Sequence, residues 1–240
     1  MPGAVITGAS GKLGSVFSFA LARQGYSLVL QYHKRREALA GLEEKLAAMG
    51  YPAVCRAADL TSPNDRARFI RESFMQDTMV LINSAACFQK GNIGSSSAEE
   101  LARVFALNTF APYDLITNFA RMRGQHDRPG GTPRGLVLNI LDSKIFHDAS
   151  GYAAYTLSKK SLADITRLAA REFAPSLRVN AIALACLSPV DDASDAALRA
   201  RAPLGFTGSE EDLARAVEFF LLSEGVTGQC LCVDGGLSLL

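Results

Sequence analysis

Short runs of apolar residues alternate along the chain with longer stretches whose apolar positions recur every three to four residues. The runs Ala4–Thr7, Ser27–Tyr32, Ala53–Arg56, Met79–Ile82, Gly135–Ile140, Arg178–Ile182 and Cys230–Val233 have the length of strands. They are apolar nearly throughout rather than at alternate positions, as expected when helices cover both faces of a sheet. Between them the spacing predicts helices over Gly11–Gln24, Arg36–Met49, Ser62–Met75, Ala98–Met122, Tyr152–Phe173 and Glu210–Ser223. Leu13, Val16, Phe17, Ala20 and Leu21 form one stripe of the first helix. Gly50 stops the second, and Ser62–Pro63 opens the third with proline in its first turn. The alternation predicts one doubly wound α/β domain over residues 1–240, a parallel sheet of about seven strands with six helices on its two faces.

Two stretches break the pattern. Arg123–Arg134 is polar and rich in Gly and Pro, and reads as a surface loop. Ser188–Phe206, with Asp191, Asp192, Asp195 and two prolines, reads as irregular. It follows a strand end, where the ligand crevice of a parallel sheet lies, and so reads as a lid.

Composition narrows the classes. With 25 Lys+Arg against 24 Asp+Glu in 240 residues, the net charge is +1. That balance argues against a nucleic-acid or polyanion binder, which carries a basic excess, but not against a local cluster that grips one phosphate. No apolar run reaches the ~18–20 residues of a membrane span, and MPGAVITGAS has no features of a signal peptide. A cytoplasmic protein is therefore expected. The five cysteines are odd in number and irregularly spaced, and read as reduced core thiols. The three histidines are scattered, so no metal site is assigned.

Three clusters carry chemistry. Thr7–Gly8–Ala9–Ser10–Gly11–Lys12–Leu13–Gly14 joins the first strand to the first helix. Small residues there let the backbone approach a pyrophosphate at a helix N-terminus. The second strand ends in Gln31–Tyr32–His33–Lys34–Arg35–Arg36, with no acid before Glu37. An NAD site usually places an acid there, whereas Lys and Arg attract a ribose 2′-phosphate. Lys12 is expected to approach the same region, and NADPH is favoured over NADH. Third, Tyr155 and Lys159 lie four apart on a helix and share a face. An ammonium beside a phenol stabilises the phenolate and makes Tyr155 a usable proton donor.

With these pieces, the whole chain resembles the short-chain dehydrogenase/reductase family. Thr7 to Gly14 is similar to its glycine motif, and Asp59–Leu60 to its adenine contact. Asn83–Ser84–Ala85–Ala86 is similar to the segment under the cofactor, and Asn108 to the asparagine that holds a proton-relay water. Tyr155 and Lys159 match the catalytic pair. Arg178–Val179–Asn180 and Val233–Asp234–Gly235–Gly236 match later signatures. The resemblance implies a Rossmann-type fold, bound NADPH/NADP+ and a homotetramer or homodimer. It assigns Tyr155, Lys159, Asp142 and Asn108 to catalysis. It assigns Gly8, Ser10, Lys12, Leu13, Gly14, Tyr32, His33, Lys34, Arg35, Asp59, Leu60, Asn83, Ser84 and Ala85, with Tyr155 and Lys159, to the cofactor.

Three departures refine this. Lys12 replaces a motif glycine, Asp142 stands thirteen residues before Tyr155 where the family has Ser, and Leu184–Ala185 replaces Pro-Gly. The first two resemble pteridine and dihydromonapterin reductases, which place an aromatic over the pterin where Phe88 stands. The implied substrate site is Phe88, Asp142, Tyr155 and Leu187, taking a dihydropterin. Other readings stand beside this one. Asp142 can be a structural carboxylate with Ser143 catalytic, and Phe88 can be core. His147 and Asp148 can reach substrate or lie in a solvated loop. The activity can be that of a ketone or 3-oxoacyl reductase, or the chain a weakly catalytic NADP-binding regulator.

Overall fold

The computed structural model describes residues 1–124, 135–147, 151–185 and 192–240. Seven strands, β1 Gly3–Thr7, β2 Ser27–Tyr32, β3 Ala53–Ala57, β4 Thr78–Asn83, β5 Gly135–Asp142, β6 Leu177–Leu184 and β7 Cys230–Val233, form one sheet. Every pairing is parallel, in the order β3-β2-β1-β4-β5-β6-β7. The doubly wound α/β architecture is as expected.

The helices are α1 Gly14–Arg23, α2 Ala40–Ala48, α3 Pro63–Ser73, α4 Ala98–Phe105, α5 Ala111–Gly124, α6 Ala153–Glu172, α7 Asp192–Arg201 and α8 Glu210–Leu222. Alternate residues of a strand enter opposite cores. Leu136, Leu138 and Ile140 of β5 pack with Phe17, Leu21 and Phe220. Val137 packs on the other face with Phe69, Leu115 and Phe119. This two-sided burial is why the strands read as continuous apolar runs, each large side chain contributing roughly 1.5–3 kcal/mol.

Helix starts follow local chemistry where a cap exists. Ser62 accepts the Asp65 amide ahead of Pro63 in α3, and Ser97 with Glu100 closes a capping box on α4. Ser209 and Asp212 do the same for α8.

Several expectations are corrected. The first helix begins at Gly14 rather than Gly11, because turns closed by Gly11 N–H to Gly8 O and Gly14 N–H to Gly11 O come first. The fourth predicted helix is interrupted by a π-helical segment, Ala106–Phe110. The stretch expected to be irregular contains α7, so there are more than six helices. Ala196, Ala197, Leu198 and Ala200 are strong helix formers that outweigh the Asp- and Pro-rich flanks. Leu198 of α7 and Ala202 just after it pack with Ala185, beside the end of β6. The described cysteines are free and none is fully buried; Cys55 and Cys232 are partly buried and pack against core clusters. Cys55 lies on edge strand β3, and Cys230 and Cys232 on edge strand β7. No described helix is long and apolar enough to cross a membrane.

Strands β5 and β6 each run two residues beyond the predicted end, which carries Asp142 and Leu184 to the sheet's C-terminal edge. The strand order reverses direction between β1 and β4, where a parallel sheet opens its crevice.

Candidate active site

The turn after β1 is built for a close backbone approach. Gly8 has φ +67°, and a Cβ there would come within 2.7 Å of the Ala85 Cα. A Cβ on Gly14 would overlap the Ala9 carbonyl. Thr7 Oγ1 accepts the amides of Ser84 and Ala85 at 3.1 and 3.2 Å, tying β1 to the β4 exit. The Gln31 side chain accepts the Gly8 amide at 2.7 Å and donates to Ala58 O at 2.8 Å. Gln31 was not singled out from sequence, although a polar residue inside the apolar β2 run was a visible signal. No side chain caps α1, unlike α3, α4 and α8. A helix end left uncapped over small residues suits an anion.

A cavity of about 670 Å³ extends from this turn over the ends of β1, β2 and β4. It brings together Gly8, Ser10, His33, Lys34, Arg35, Asp59, Leu60, Ser84 and Ala85. The other expected members lie elsewhere: Leu13, Tyr155 and Lys159 line the neighbouring cavity, Gly14 opens α1, and Asn83 is buried. Lys12 lines that neighbouring cavity too, and Tyr32 packs against the core with the Arg36 guanidinium 5.9 Å from its ring centroid. Asp59 accepts both the amide and the hydroxyl of Thr61, at 2.9 and 2.7 Å. Those hydrogen bonds, the Thr61 hydroxyl first, hold its carboxyl below the usual range. His33 Nε2 lies 3.8 Å from it.

The second cavity, about 270 Å³, shares Ser84 and Ala86 with the first. Lys12, Leu13, Phe88, Asp142, Lys144, Tyr155, Lys159, Leu184 and Ala185 line it. The Tyr155 hydroxyl donates to Asp142 Oδ2 at 3.1 Å. Asp142 also accepts the Lys144 amide at 2.9 Å, and the Lys144 Nζ stands 3.4 Å from both carboxylate oxygens. Asp142 thus lines the cavity and also caps the turn Ser143–Phe146. Phe88 is not core: it is 52% exposed, stacks on Tyr152 at 4.6 Å and meets Tyr155 edge-on at 4.7 Å. Neither Tyr152 nor Lys144 was read as a site residue.

Lys159 is 3% exposed and donates to Ile140 O at 2.7 Å, its Nζ 5.9 Å from the Tyr155 ring centroid. Burial pulls its pKa down to about 8, against the opposing pull of Asp142. Keeping the ammonium there at neutral pH costs the fold on the order of 3 kcal/mol. A cost of this kind concentrates at sites of chemistry. The folded pKa is depressed below the unfolded 10.5. The penalty is therefore full below about pH 8 and fades as pH rises toward the unfolded value. Lys159→Met should raise the thermal midpoint of the apoprotein at pH 7 and give little gain near pH 10.5. A lower midpoint at pH 7 would contradict the assigned burial cost.

Asn108 lies in the π-helical segment, a local feature frequent at functional sites. Its Oδ1 accepts the Cys87 amide at 2.7 Å, and its Nδ2 donates to Cys87 O and Ser158 Oγ at 3.1 and 2.9 Å. It fastens the segment after β4 to α6, the helix that carries Tyr155 and Lys159. Asn83 is buried behind the cavities and donates to Asn139 Oδ1 at 2.9 Å, while Asn139 donates to Thr166 Oγ1. Arg178 and Asn180 serve the frame instead, bonding carbonyls of Phe220 and Val226. Leu187, Asp148 and residues 125–134, 186 and 188–191 lie outside the described residues.

Comparison with known proteins finds relatives over nearly the whole chain. The family model described as enoyl-(acyl carrier protein) reductase matches residues 8–238. An uncharacterized oxidoreductase of Mycobacterium tuberculosis is 32% identical, covering 98% of this chain and 91% of its own. Pteridine reductase 1 of Leishmania tarentolae is 31% identical over 99% of this chain and 96% of its own. Among solved structures, the FolM alternative dihydrofolate reductase 1 from Brucella canis, complexed with NADP, superposes with a TM-score of 0.88. It is 25% identical and covers 100% of this chain and 95% of its own.

Proposed function

The chain belongs to the short-chain dehydrogenase/reductase family, and from that premise we propose that this oxidoreductase is an NADPH-dependent reductase of a dihydropterin. The observation that carries the pterin reading is the Asp142–Tyr155 pair at the wall of a cavity with Phe88 beside it. Its similarity to a pteridine reductase and to an NADP-complexed FolM structure supports the same reading.

The residues fit a dinucleotide. The Gly8 and Gly14 cradle admits no side chain, α1 is uncapped, and His33, Lys34 and Arg35 line the larger cavity. Gly8, Ser10 and the α1 end would hold the pyrophosphate, and Lys34 with Arg35 the 2′-phosphate. Asp59 and Leu60 would border the adenine. When bound, NADPH supplies a hydride.

The chain's own residues supply the rest. Tyr155 turns its hydroxyl from Asp142 toward the substrate and donates the proton. Lys159 holds a positive charge beside the Tyr155 ring as the phenolate forms. Asp142 holds Tyr155 in place beforehand and accepts a substrate N–H. Asn108 is a positioning residue that fixes α6 against the segment carrying Phe88. Phe88 offers an aromatic face to a flat heterocycle.

A second reading, reduction of a 3-oxoacyl or ketone substrate, is favoured by the description of the matching family model. Oxidation of NADPH followed at 340 nm separates the two. Turnover is expected with dihydrobiopterin or dihydromonapterin and not with acetoacetyl thioester or diketones. Turnover with the carbonyls alone would discard the pterin.

A further inference from the structure

We infer that Lys144 is a specificity-determining residue, whose ammonium recognises a ring carbonyl of the substrate next to the N–H that Asp142 accepts. The inference rests on the pterin reading above and names which pterin edge the site selects.

The resting carboxylate of Asp142 is fully subscribed. Oδ1 takes the Lys144 amide and ammonium, and Oδ2 takes the Tyr155 hydroxyl and the same ammonium. A carboxylate offers about four lone-pair sites, so a substrate N–H must displace one of these donors. The backbone amide is fixed by the 3-10 turn Ser143–Phe146, which Asp142 caps. Of the other two donors, the Tyr155 hydroxyl turns to the substrate to deliver its proton, and the ammonium can shift while staying at the site. Its 3.4 Å contacts are longer than the ~2.7–2.9 Å of a tight charged hydrogen bond. Its side chain is 23% exposed, so it has room to shift.

The ammonium stands 5.6 and 5.5 Å from the ring centroids of Phe88 and Tyr152. It therefore sits where Asp142 and the aromatic face meet. Displaced from Asp142, it remains beside the carboxylate as a donor. Asp142 and Lys144 then present an acceptor and a donor side by side. A cyclic amide edge, N–H next to C=O, is the complement of that pair, and a 4-oxo pterin carries one. A 2,4-diaminopteridine carries an amino group in place of the oxygen. Its N3 carries no hydrogen, so the same edge turns an acceptor to Asp142 and a donor to Lys144.

The test is Lys144→Met, which removes the charge and keeps the backbone amide that Asp142 caps. With NADPH saturating, the KM for dihydrobiopterin should rise at least tenfold while kcat stays within threefold. The inhibition constant of methotrexate, a 2,4-diaminopteridine, should be unchanged or lower. Lys144→Arg should restore most of the dihydrobiopterin KM. Equal weakening of both ligands, or no change in either, would overturn the role of Lys144. Absence of dihydropterin turnover by the unaltered protein would instead remove the pterin reading, and this inference with it.

Discussion

Tyr155→Phe should lower kcat by about three orders of magnitude while the Kd for NADPH stays within about threefold. The substitution removes one oxygen. The ring that meets Phe88 edge-on at 4.7 Å is retained, as is the aromatic surface 5.9 Å from the Lys159 ammonium. Asp142 loses one donor, but the Lys144 amide and ammonium remain on it. The fold is therefore expected to tolerate the change. What disappears is the only proton that the proposed mechanism delivers. Loss of a positioned general acid is worth ~10²–10⁴ in rate, and water admitted to the cavity recovers little of it. Single-turnover oxidation of bound NADPH with dihydrobiopterin reads the chemical step, and fluorescence titration reads the binding. Activity within tenfold of the unaltered protein would move the proton donor elsewhere, with Lys144 the nearest other acid on Asp142.

The centre of the sheet was legible because strands such as β1, β5 and β6 are buried on both faces. Val137 enters one core while Leu136 and Leu138 enter the other, so apolar character persists along the run. The same rule explains where legibility stopped. Strand β5 continues through Leu141 and Asp142, but Asp142 is charged and looked like the loop. Polar residues at the C-terminal edge are there for the site, and an apolar pattern cannot see them. Helix α7 was hidden for a different reason. Flanking Asp and Pro signalled a loop, and the alanines that make a helix carry no amphipathic stripe.

The candidate site was legible where spacing fixes geometry. Tyr155 and Lys159 share a helix face because they are four apart, and the turn from Gly8 to Gly14 has a fixed size. It was not legible where contacts cross long stretches of chain. Phe88 meets Tyr152 through the fold alone, and Gln31 reaches Gly8 only because β1 and β2 are neighbours. Lys12 shows the limit of reasoning from a motif. It sits in the glycine turn, but faces the Tyr155 cavity rather than the basic cluster after β2.

Replacing both Lys34 and Arg35 with Ala should raise the KM for NADPH about a hundredfold and leave that for NADH within threefold. Both side chains are exposed and line the larger cavity just after β2, so the double change costs the core nothing. A hydrogen bond to a charged group contributes ~1.5–3 kcal/mol. Loss of two, partly offset by solvent screening, gives a factor on the order of 10². The remaining charges set the direction of the change. Asp59 stays ionised, held by Thr61, and His33 lies 3.8 Å from it. Without Lys34 and Arg35 the cavity keeps Asp59, which disfavours a 2′-phosphate and is indifferent to a 2′-hydroxyl; the basic residues His33 and Arg103 also remain. The loss for NADPH should also shrink as salt rises, because screened surface charges contribute less to the unaltered protein. Parallel losses for both dinucleotides would mean that Lys34 and Arg35 act on a part the two share, and would transfer selection of the 2′-phosphate to other residues of the cavity.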